Sequence, residues 1–139
     1  MHIRTLAALT LALCFMAACQ EAEPDWEAIF PAQVGDYLRV SGPALDPETG
    51  VDGAVYHGPQ GEVRLRAAQI GQEAIGPALA ELPPGASEIG PDPALGMRSG
   101  VAFTFAGGAH AAWGNADWLF VVDAPDRAAL AVFLAAYGF

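Results

Sequence analysis

The chain has 139 residues, enough for one domain plus whatever its amino terminus is for. It has no lysine, six arginines and 16 acidic side chains, a formal net charge of −10. Such a surface repels phosphate backbones and anionic lipid, which argues against nucleic acid as a partner and against an electrostatic hold on a bilayer.

In chain order, Arg4 supplies one positive charge, and residues 5–18 are apolar or small without a charge. As a helix this run spans only about 21 Å, short of the roughly 30 Å of hydrocarbon in a bilayer. It has the length of the apolar core of a secretory signal. Met16-Ala17-Ala18-Cys19 follows directly. This stretch resembles the lipobox of bacterial lipoproteins, with Met16 where leucine is usual and small residues at the cut; Cys14 fits less well behind bulky Leu13.

The resemblance implies a signal peptide over residues 1–18, with Cys19 carrying lipid such as palmitate as the first residue of the mature chain. It also implies a place in the cell envelope. With Gln20 rather than Asp after the cysteine, a Gram-negative host would hold the protein at the outer membrane, facing the periplasm. The mature domain then has no thiol for a disulfide, a thiolate metal site or a nucleophile.

Residues 19–30 read as an acidic tether with a short helical turn. Trp26, Ile29 and Phe30 are spaced i, i+3, i+4 behind Asp25, a candidate N-cap. Residues 31–139 read as a single α+β domain. Residues 37–41 form a first strand, followed by a loop over "GPALDPETGVDG"; residues 54–57 form a second, and "GPQG" turns the chain. In the third, residues 62–69, Val63, Leu65 and Ala67 face one side and Arg64 and Arg66 the other.

A short helix carrying Ile75, Leu79 and Leu82 follows, broken or begun by Pro77. Residues 83–96 read as a long loop. Val101, Phe103 and Phe105 alternate in a fourth strand, residues 109–113 make a weak fifth, and Gly114-Asn115 offers a hairpin turn. Residues 118–122 are apolar on both faces and belong at the centre of the sheet. A last helix starts near Asp123, with Asp126 as a capping partner, and ends at Gly138 with Phe139 folding back. At an offset of 55 residues, Leu65 falls on Phe120 and Leu79 on Leu134. The expected fold is therefore α+β: an antiparallel sheet of about six strands with two helices on one face, with a duplicated βββα unit as one reading of the offset.

Chemistry is sparse. Ser41, Ser87 and Ser99 stand in no G-x-S-x-G elbow. His57 and His110 lack zinc spacing, and Asp46, Glu48 and Asp52 lack the EF-hand spacing, so no catalytic residue, metal or cofactor is expected. Two candidate surfaces remain. Arg39, Arg64 and Arg66, joined by Tyr37 and Thr104, would form a basic sheet face for a small anion. Leu130, Phe133 and Tyr137 would offer an apolar helix face to a protein partner. The expectation is a non-catalytic, membrane-anchored envelope lipoprotein that binds a protein or envelope component, with small-anion binding as the alternative.

Overall fold

The computed structural model describes residues 23–138 apart from Arg98. The signal segment 1–18, Cys19 and the fold-back of Phe139 lie outside the described residues. Among the described residues, no helix is long and apolar enough to cross a membrane.

Helix α1 (Trp26–Ile29) is capped by Asp25, whose carboxylate accepts from the Ala28 amide at 3.2 Å. Phe30 is fully buried, Trp26 stacks on it, and Trp26 meets Trp118 edge-on at 6.0 Å. Trp26, Ile29 and Phe30 thus pack the end of the tether against the domain.

Eight strands follow: β1 (Gln33–Val34), β2 (Tyr37–Asp46), β3 (Val51–Gly58), β4 (Gly61–Gln69), β5 (Ser87–Gly90), β6 (Val101–Phe105), β7 (Gly108–Asn115) and β8 (Trp118–Ala124). They form one antiparallel sheet in the order β1-β2-β3-β4-β8-β7-β6-β5. All six expected strands are present. The two additional ones, β1 and β5, are short edge strands with no apolar run to announce them. The loop expected after Ser41 is instead paired backbone out to Asp46, with register shifts and Gly42 at φ 87° absorbing the Gly-Pro step. The long loop at residues 83–96 contains β5 and a 3₁₀ turn, Pro93–Leu95, that buries Leu95.

Helix α2 (Gln72–Ala80) runs through Pro77 rather than starting or stopping there. The bond that Pro77 cannot make would have gone to the Glu73 carbonyl, and Glu73 is exposed, so water can take that acceptor. Helix α3 (Arg127–Tyr137) is capped by Asp126, which accepts from the Ala129 amide at 2.8 Å, and ends at Gly138 with φ 70°. Asp123 is therefore strand, not helix start.

The helices lie on opposite faces of the sheet, not on one. On the first face, α3 places Leu130, Phe133 and Leu134 against Val63, Leu65, Ala111 and Val122, forming the main core. Tyr37 and Tyr56 meet the Phe133 ring edge-on at 5.5 and 5.3 Å. On the second face, Ile75 of α2 sits over Gly114 so closely that a β-carbon there would lie 2.5 Å from its Cγ2. The two connectors differ accordingly. Gly71 before α2 has φ 87°, whereas Asp126 before α3 is extended at φ −154°.

Candidate functional site: a groove on the second sheet face

Register dictates what the second face carries. Cross-strand partners place Val101, Ala112, Val121 and Arg66 in one row and Phe103, His110, Asp123 and Arg64 in the next. The first row is apolar until Arg66, and the second gathers the polar groups. Since α2 covers only part of this face, a groove of about 380 Å³ remains between the sheet and the segment from Ala78 to Pro83. Leu79, Leu82, Val101, Phe103, Leu119 and Val121 supply its apolar walls. A volume in this range with apolar walls and a few convergent polar groups is what small-molecule sites have in common. A depression of about 390 Å³ along Ser87 and residues 104–109 opens more widely to solvent.

Asp123 organises the polar end. Its Oδ2 accepts from an Arg66 guanidinium N–H at 2.8 Å, and its Oδ1 from His110 Nδ1–H at 2.7 Å. The His110 ring is stacked on Phe103 with centroids 5.1 Å apart, and its Nε2 lies 3.3 Å from the Phe105 carbonyl. Both carboxylate oxygens are thus occupied and the Arg66 charge is matched. Arg66 Nε is buried without an acceptor. Arg64, directly opposite Asp123 on the neighbouring strand, is exposed, and no ion-pair or hydrogen-bond partner accompanies it.

The three expected arginines do not form one surface. Arg64 and Arg66 share the second face, but Arg39 sits opposite Tyr56 on the first. There it donates to the Phe30 carbonyl and pairs with Glu27 at 3.2 Å, holding the amino-terminal turn in place. Tyr37 is buried in the core, and Thr104 bonds Ser87 at 2.8 Å. The expected apolar helix surface is likewise spent on packing: Leu130 and Phe133 are buried, and the Tyr137 hydroxyl donates to the Ile29 carbonyl at 2.7 Å. Among the described residues, no three His, Cys, Asp or Glu side chains gather in a way that could hold a metal.

Sequence reasoning missed the His110–Asp123 pair because it put the hairpin turn at Gly114-Asn115. That turn would set His110 opposite Leu119. The observed turn is Ala116-Asp117, with Ala116 at φ 53°, and it sets His110 opposite Asp123.

No protein-family model matches the chain, and no curated protein matches it in sequence. The fold is similar to the crystal structure of a GTP binding regulator from Thermotoga maritima, with TM-score 0.54 and 22% identity. The similarity covers 85% of this chain and 90% of that one. At that identity the likeness concerns the fold alone.

Proposed function

We propose that this chain is a lipid-anchored module of a bacterial cell envelope, without catalytic chemistry, that holds an envelope component in the groove on its second sheet face. The groove carries the reading: it is concave, walled by apolar side chains and polar at one end. None of Ser41, Ser87 and Ser99 lines it, so the His110–Asp123 pair has no serine beside it to activate. Met16-Ala17-Ala18-Cys19 supports the anchor. From Cys19 to the docked Trp26 the chain reaches at most about 25 Å, which would keep the domain close to the bilayer surface. In a Gram-negative host, Gln20 favours the periplasmic side of the outer membrane. The net charge of −10 speaks against a nucleic-acid partner. The GTP-linked role of the Thermotoga protein is not carried over, because nothing in the groove corresponds to a phosphate-cradling glycine loop.

Labelled palmitate and membrane fractionation in a bacterial host test the anchor. The natural chain should take up label and stay with membranes through a high-salt wash, and Cys14→Ala should behave the same. Cys19→Ala should lose the label and appear in the soluble fraction. Equal soluble release of the natural chain and Cys19→Ala refutes the anchor.

A further inference from the structure

We propose that the groove binds a single-chain amphiphile with an anionic head, its apolar body beneath α2 and its head at Arg64. The site rests on the binding reading above and names the ligand class for it.

The rows of the second face form a gradient. Gly114 and Leu119 lie under α2; Val101, Ala112 and Val121 come next; and the polar row His110–Asp123–Arg64 crosses the sheet at the far end. A ligand lying along the strands therefore meets hydrocarbon first and hydrogen-bonding groups last. Leu79, Leu82, Val101, Leu119 and Val121 form an apolar stretch beside which the polar wall residues are Glu81, exposed to solvent, and Arg66, paired with Asp123. A compact polar solute would leave that surface wet, whereas an alkyl chain would cover it, at about 25 cal/mol for each Å² removed from water.

Charge selects the head. Arg39 is paired with Glu27, Arg66 with Asp123 and Arg127 with Asp92. Among the described arginines, only Arg64 has no acidic partner, in a chain where acids outnumber bases 16 to 6. Asp123 beside it has both oxygens engaged by Arg66 and His110. Glu81, at the end of α2, is the other acid on the groove wall and is exposed to solvent. Arg64 is not itself a wall of the groove, but it stands next to Asp123 in the polar row with its five guanidinium N–H donors unpaired, a geometry suited to a carboxylate or a phosphate. A fatty acid and a lipid phosphate share that chemistry.

The full chain carrying Cys19→Ala is titrated with cis-parinaric acid, whose fluorescence rises in an apolar site, and in parallel with its methyl ester. Saturable binding of the acid, about tenfold tighter than the ester, is expected, and Arg64→Gln should erase that difference. Val121→Trp, which fills the groove, should abolish binding of both, while Val132→Gln on the exposed side of α3 should change nothing. Because Arg64 is exposed, its variant keeps the test decisive even if Val121→Trp fails to fold. Laurate and dodecyl phosphate as competitors distinguish the two head groups, and displacement by either upholds the site. Absence of saturable binding overturns the proposal, and an acid preference that survives Arg64→Gln overturns the head-group assignment. Neither result touches the anchor, which the palmitate experiment tests separately.

Discussion

Two tyrosine hydroxyls hold the amino-terminal segment onto the domain. Tyr56 donates to the Pro31 carbonyl at 2.9 Å and Tyr137 to the Ile29 carbonyl at 2.7 Å, while the Tyr37 hydroxyl is buried with no partner. Burial raises the pKa of all three, pushing Tyr137 up to about 12; the Asp126 charge adds to the rise at Tyr37. Above about pH 10 the unfolded chain therefore releases tyrosine protons that the folded chain keeps, so stability falls as pH rises from there toward 12. Below pH 10 these groups contribute no slope. Tyr137→Phe should cost about 1 kcal/mol at pH 8, from the lost hydrogen bond, and should flatten the alkaline decline. Tyr37→Phe removes only an unsatisfied donor and should cost nothing at pH 8. Thermal melts of the three proteins from pH 8 to 11.5 check both, and equal losses for the two variants would contradict the assignment.

At the scale of elements, α2 depends on one glycine. Gly114 lets Ile75 reach the backbone of β7, and any side chain there meets Ile75 at contact distance or closer. Gly114→Val should lift α2 from the sheet and destabilise the protein by about 1–3 kcal/mol through overpacking. Hydrogen exchange should quicken in residues 72–80 and remain slow in residues 127–137, since α3 packs on the other face. Uniform acceleration of both helices would refute the separation. Much of this level was legible in the sequence. Alternation in β4 sorted Val63 and Leu65 from Arg64 and Arg66, and β8 read as apolar on both faces. That second observation already required cover on both sides of the sheet, which two helices on one face cannot give. The misplaced turn before β8 preserved the in–out parity, since an even shift does not exchange faces. The face parity of β7 and β8 therefore came out right while the His110–Asp123 pairing was lost.

At the scale of the whole molecule, the chain is two four-strand meanders, each followed by a helix, joined along β4 and β8. The joint agrees with the 55-residue offset: Arg66 lies opposite Val121, the position the offset assigns to it. A two-fold axis normal to the sheet would keep both helices on one face, so the placement of α2 breaks the relation. The joint is also the centre of the core, where Leu65 and Val122 are cross-strand partners and both fully buried. Neither half can bury its apolar face without the other. Urea unfolding should therefore be a single transition, with tryptophan fluorescence and far-UV circular dichroism superimposing. Separate midpoints would show that the halves fold independently.

By itself the sequence determined what local pattern can encode: the six principal strands, the helix N-cap at Asp25, the helix-ending glycine at Gly138 and the in–out alternation of β4. These follow from periodicity and capping chemistry among near neighbours. Only the tertiary structure decided where α2 goes, because one connector conformation at Gly71 sends it to the far face. It also separated Arg39 from Arg64 and Arg66, since strand β2 joins the sheet in a register that turns Arg39 toward the amino-terminal turn. The groove exists for the same reason. It is made by residues from β4, β6, β7, β8 and α2, distant in the chain, and no short segment carries its signature.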